Sequence, residues 1–142
     1  MKKHGLIGYI RSILWGRKPK KKWQLTIDEE TIEELHYRLI NLLEQKKPFL
    51  QQGYRLKDMA AELYIHEYQL SAFLNQVMHI HFTELLNQYR IAHCIDLLRN
   101  KALDKPHVKE LINRCGFRNR NTFTTAFKKF TGHTFSDYVK HM

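Results

Sequence analysis

No apolar run in this chain is long enough to cross a bilayer, which takes roughly 20 residues. The best candidate, residues 6–15 of "MKKHGLIGYIRSILWGRKPKKK", is half that length and is broken by Gly8 and Arg11. Cysteine is scarce: Cys94 and Cys115 are the two present. Both sit in apolar helical settings, and no signal peptide precedes them. They fit small buried hydrophobes in a reducing cytoplasm. Histidine is plentiful, but neither His79 with His81 nor His93 beside Cys94 has the spacing of a metal site with further Cys ligands. There is no nucleophile–base pair, no phosphate loop and no set of paired carboxylates at catalytic spacing. An enzyme is therefore the least expected class, and no cofactor is expected.

Acid is also in short supply. The 142 residues carry 14 Asp and Glu against 24 Lys and Arg, a net charge of +10. Such an excess points to an anionic partner, either nucleic acid or an anionic membrane surface. The charge is uneven. Residues 1–24 hold eight Lys and Arg and no acid, and residues 106–142 hold seven against two acids. Residues 25–53 are net acidic and 54–105 are balanced. With 43% hydrophobic residues the composition is that of a folded chain, and its length suits one domain or two very small ones.

Residues 1–24 read as a basic tail and linker around Pro19. A frayed tail is the plain reading; residues 1–22 lying on an anionic membrane or tracking along phosphates is the alternative. Residues 25–53 read as a lead-in helix. Thr26 and Glu29 predict a capping box, and Ile32, Leu35, Leu39, Leu42 and Leu43 recur at helical spacing. Lys46 and Lys47 fall in its last turn and Pro48 stops it. Its acidic face suits packing or dimerisation better than reading DNA.

From residue 54 onward the chain repeats itself. Leu70, Phe73, Leu74 and Val77 match Phe123, Ala126, Phe127 and Phe130 at an offset of 53, and Phe82-Thr83-Glu84 matches Phe135-Ser136-Asp137. Upstream the offset is 52, with Leu56, Met59, Ala60, Leu63 and Ile65 matching Val108, Leu111, Ile112, Cys115 and Phe117. Two copies sharing apolar period and polar punctuation predict a duplicated unit. Each copy reads as helix, tight turn, helix: 56–63 and 67–77 in the first, 108–115 and 120–131 in the second. Gly116 suits a left-handed turn residue. A long helix over 82–100 links the copies, its buried stripe being Leu85, Leu86, Tyr89, Ala92, Ile95 and Leu98.

In a helix-turn-helix the second helix enters the major groove with its N-terminal residues at base edges. In "CGFRNRNTFTTAFKKFTG", residues 115–132, Phe123, Phe127 and Phe130 must face inward, which turns Arg120, Asn121, Thr124, Thr125 and Lys128 outward. Arg pairs with guanine, Asn with adenine, and Thr meets the thymine methyl. Lys128 and Lys129, late in the helix, suit phosphate, as does Arg118. The first copy offers Tyr68, Gln69, Ser71 and Ala72 to bases and Asn75 at its edge to a base or a phosphate. It has no outward Arg or Lys, and Glu67 repels phosphate, so a weakened first reader is expected.

Residues 56–142 resemble the paired helix-turn-helix DNA-binding domain of AraC/XylS-type bacterial transcriptional regulators. "GFRNRNTFTTAFKKFTGHTFSDYV", residues 116–139, is similar to the signature of the second motif and the helix after it. "FTELLNQYRIAHCIDLL", residues 82–98, resembles the linker helix with its Tyr-Arg-Ile element. Residues 25–55 resemble the lead-in helix of membrane-linked members. The resemblance implies a site-specific transcription regulator that contacts DNA and often RNA polymerase. Matched position by position, it gives base-facing roles to Arg120, Asn121, Thr124 and Thr125, and to Tyr68, Gln69, Ser71 and Ala72. The chain departs from the family in places. Tyr64 fills a turn position usually held by Gly, at roughly 1 kcal/mol if left-handed. His79 and Phe135 replace the usual Gly and Pro, Ile112 replaces Ala, and Ala72 stands where a long polar reader is usual. No signalling domain is visible, so a signal is expected to arrive by another route, or the chain to be part of something longer.

The expected architecture is all-α. It consists of two homeodomain-like helix-turn-helix subdomains (54–81 and 106–142) joined by a linker helix (82–100), with the lead-in helix before them. The expected function is sequence-specific binding of double-stranded DNA through two successive major grooves, over a site of roughly 15–20 bp. The alternative is a degenerate member acting as a protein-interaction or membrane-surface module without base readout. The oligomeric state is open at this point.

Overall fold

The structure, a computed structural model, describes residues 28–100 and 107–142. Among these the regular elements are all helical, seven α-helices in order. The basic tail 1–22 and its expected contacts lie outside the described residues. Among the described residues no helix is long and apolar enough to cross a membrane.

The first helix, α1, runs Glu29–Asn41 and continues as a wider π turn over Leu42–Lys46. Its N-cap is Asp28, whose Oδ1 accepts from the Thr31 amide at 2.7 Å. Asp28 is the N-cap where Thr26, which lies outside the described residues, was the expected one; its carboxylate accepts a free amide and also meets the positive end of the helix dipole. Lys47 turns left-handed at φ 50°, and Pro48–Leu50 forms a 3-10 turn. Pro48 thus ends the helix as its sequence position predicts.

Helices α2 (Leu56–Glu62) and α3 (Glu67–Ala72, continued by a π turn over Phe73–Val77) make the first copy. The linker α4 spans Phe82–Arg99, about 27 Å at 1.5 Å per residue. Helices α5 (Val108–Arg114) and α6 (Arg120–Thr131) make the second copy, and α7 (Phe135–Lys140) follows. The repeat is exact in its helix starts: Leu56 with Val108, Glu67 with Arg120, Phe82 with Phe135. It extends to backbone hydrogen bonds. Leu63 N donates to Met59 O as Cys115 N does to Leu111 O, both at 3.0 Å, and Ile65 N to Ala60 O as Phe117 N to Ile112 O, both at 3.1 Å.

The two copies differ where the backbone turns left-handed. Gly116 (φ 85°) and Gly132 (φ 78°) hold those positions in the second copy; Tyr64 (φ 55°) and His79 (φ 52°) hold them in the first. Only glycine enters that region without a steric penalty, so the first copy carries strain at two turns, each about 1 kcal/mol.

Two cores result. The first gathers Leu35, Leu39 and Leu43 of α1, Met59 and Leu63 around α2, Leu70, Phe73 and Leu74 of α3, and Leu85, Leu86, Tyr89 and Ala92 of α4. The second gathers Ile91, Cys94 and Ile95 of α4 with Leu111, Ile112, Cys115, Phe117, Phe123, Ala126 and Phe127. Helix α4 therefore buries two faces rather than the single stripe its sequence predicts. Ile91 and Cys94 join that set, and Leu98 is only partly buried. A helix walled on both sides by apolar subdomains has no continuous solvent face to leave polar. Cys94 and Cys115 are free, buried thiols, and the hydrogen bond between them together with burial raises the Cys94 pKa.

Candidate nucleic-acid interface

The second recognition helix is built from its own sequence. Asn119 caps α6, its Oδ1 accepting from the Thr122 amide at 2.9 Å. Phe123, Ala126 and Phe127 recur on one side and are buried. Their rings lock into an edge-to-face cluster, Phe117 with Phe123 at 5.4 Å, Phe127 with Phe135 at 5.3 Å and Phe127 with Tyr138 at 5.3 Å. Burying each such ring is worth about 1.5–3 kcal/mol, which holds the opposite face rigidly outward.

That opposite face carries the residues singled out by sequence. Arg120, Asn121, Thr124, Thr125, Lys128 and Lys129 are all exposed, as is Arg118 in the turn before them. The first turn of α6 holds no acid, so nothing cancels the positive end of its dipole. Among the described residues neither Arg118, Arg120 nor Lys128 is held by an ion pair or a side-chain hydrogen bond. The Thr124 hydroxyl donates to the Arg120 carbonyl at 2.8 Å, which leaves its methyl as the outward group. Lys129 is different: its Nζ lies 3.3 Å from Glu84 of α4. At 69% side-chain exposure this pair is worth little and yields readily to a phosphate.

Lys129 and Glu84 close one side of a cleft of about 690 Å³ between α4 and α6. Thr83, Asn87 and Gln88 line it from the linker, Asn121 and Thr125 from the recognition helix. The linker residues were not singled out from the sequence. Thr83 and Asn87 are four apart and lie on the side of α4 that Ile91 and Cys94 continue, the face that a single predicted stripe leaves out. Asn87 Oδ1 is buried there with no hydrogen-bond partner among the described residues.

The first copy presents a weaker face. Tyr68 is 67% exposed and stacks on His66 with ring centroids 5.6 Å apart. Gln69 is half-buried, and its Oε1 accepts from the His66 backbone amide at 3.0 Å. That bond caps α3 and occupies one of the two groups a glutamine needs for reading adenine. Ser71 and Ala72 are half-buried, and exposed Asn75 leans on the Ser71 hydroxyl at 3.4 Å. Exposed Glu67, not a cation, stands at the start of α3.

A duplicated helix-turn-helix unit whose second copy turns exposed cations outward on its second helix is the build of a helix-turn-helix DNA-binding protein. A helix-turn-helix domain model matches residues 59–141, and the chain belongs to the AraC-type helix-turn-helix family of DNA-binding transcription regulators. Its fold is similar to the C-terminal domain of AraT, a response regulator from Geobacillus stearothermophilus, at 25% identity and a TM-score of 0.60, covering 78% of this chain and 84% of that one. It is also similar to a protein of unknown function from Listeria innocua, at 26% identity and a TM-score of 0.59, covering 71% of this chain and 93% of that one. A search of curated proteins gives no match.

Proposed function

We propose that this regulator reads a bipartite duplex site. In this reading α6 lies in one major groove, with Arg120 and Asn121 at base edges and the Thr124 and Thr125 methyls against thymine. Arg118, Lys128 and Lys129 meet the flanking phosphates, Lys129 after leaving Glu84. Helix α3 lies in the next groove, with Tyr68, Gln69, Ser71 and Ala72 toward the bases and Asn75 at the backbone. The observation that carries the reading is the α6 surface: uncommitted cations and an amide on a helix whose other side is anchored by three buried aromatic and alanine positions. The family resemblance adds RNA polymerase as a further proposed partner.

Two observations favour a second reading for the first copy alone. Gln69 is committed to its own helix cap, and Glu67 stands where a phosphate would approach. In that reading α3 rests in the groove through Tyr68 and contributes position without base choice. Competition binding separates the possibilities. The proposal expects a selected site to be bound at least about 10³-fold more tightly than random duplex at physiological salt. Equal binding to both removes base readout and leaves an interaction module.

A further inference from the structure

Residues 48–52, between α1 and α2, form a strap that ties the two cores together. Phe49 is fully buried in the first core with its ring 5.4 Å from Tyr89. Its carbonyl accepts from Arg90 Nε at 2.7 Å, and the Gln51 carbonyl from Arg90 Nη2 at 3.4 Å. The same guanidinium lies over the Phe117 ring of the second core, 5.6 Å from its centroid. Gln52 Nε2 then donates to the Phe117 carbonyl at 3.0 Å and to Asn113 Oδ1 at 3.4 Å. The strap presses so closely on the second turn that a Cβ on Gly116 would stand 2.3 Å from the Phe49 carbonyl oxygen.

Arg90 is half-buried, and among the described residues no carboxylate accompanies it. Its planar fork is satisfied by two strap carbonyls and one aromatic face, an arrangement a lysine cannot reproduce. Helix α3 belongs to the first core and α6 mainly to the second, its partly buried Phe130 touching both. Phe130 joins them weakly, being only partly buried, and Arg90 with the strap adds a second, directional joint. We propose that Arg90 is a positioning residue: through the strap it sets the separation and rotation of the two recognition helices, and so the half-site spacing this regulator accepts. The inference rests on the two-groove reading. It is quantitatively reasonable, because one inserted base pair shifts a half-site by only about 3.4 Å and turns it by about 35°. A joint loose by that amount would no longer distinguish neighbouring spacings.

The test uses the full chain and duplexes carrying the selected half-sites at their native spacing, with one or two base pairs inserted or removed, and as a single half-site. Unfolding curves are recorded in parallel. Wild type is expected to prefer the native spacing. Arg90→Met and Gln52→Ala are expected to cut that preference about fivefold or more while binding a single half-site like wild type. Arg90→Lys, which keeps the charge without the fork, should behave as Arg90→Met. Variants that keep the wild-type spacing profile overturn the inference. So does an equal loss on every duplex, the single half-site included, which is the mark of a merely structural role. If Arg90→Met does not fold, Gln52→Ala decides alone, since its side chain is exposed and outside both cores. A wild type without any spacing optimum overturns the two-groove reading itself, which distinguishes that failure from failure of the strap.

Discussion

Positions 64 and 116 occupy the same point of the two repeated turns, yet substitution should act on them in opposite directions. At Gly116 any side chain meets both a left-handed φ of 85° and the Phe49 carbonyl. Gly116→Ala is expected to destabilise by about 2–4 kcal/mol in urea unfolding. At Tyr64 the side chain is 90% exposed and holds φ 55°. Tyr64→Gly removes the strain at little packing cost and is expected to stabilise by up to about 1 kcal/mol. On the reading side, Arg120→Ala is expected to weaken binding by about 1–3 kcal/mol and to relax choice at one base pair. An equal loss on every sequence would show that Arg120 meets only phosphate. The turn glycine and the outward polar set were legible in the sequence because each depends on neighbours a few positions away. The closure of Phe49 on Gly116 and the grip of Arg90 on the strap were not, since those partners lie some forty to seventy positions apart and no periodicity marks them.

Among the elements, α6 is the one on which the proposed readout rests most. Its cap is a single bond from the Thr122 amide to Asn119, next to Arg120 and Asn121, the first two proposed readers. Asn119→Ala should cost about 1 kcal/mol of stability, measured by thermal unfolding, and should fray the turn that presents Arg120 and Asn121. The helices were legible because Gly116, Pro48 and the 3.6-residue apolar period mark them locally. Helix α4 was legible in extent but not in its packing. A single stripe is what one core leaves on a helix, whereas Ile91 and Cys94 are buried by the second core on another side. The cap of α1 falls at Asp28, two residues after the Thr26 its sequence offers, because both are capping types and periodicity does not choose between them.

For the whole molecule, two half-buried histidines tie stability to pH. Burial lowers the pKa of His36, and burial followed by the charge of Lys47 lowers that of His93, from an ordinary value of 6.5. Both rings are thus held neutral in the fold. Well above pH 6.5 neither the folded nor the unfolded state binds a proton there and this contribution to stability is fully present. As pH falls below that value the unfolded chain takes up protons first, so stability declines toward the lowered folded pKa. Denaturant midpoints should therefore fall between neutrality and mild acid, and His93→Gln should flatten that fall.

The duplication, the linker and the basic outward helix together make one claim: two grooves of a single duplex are met by one chain. Selection of bound sites from a random duplex pool tests this most directly. Two enriched blocks with centres about 10–10.5 bp apart are expected, the stronger block answering to α6. A single short block, or a recovered pool no different from the input, would contradict it.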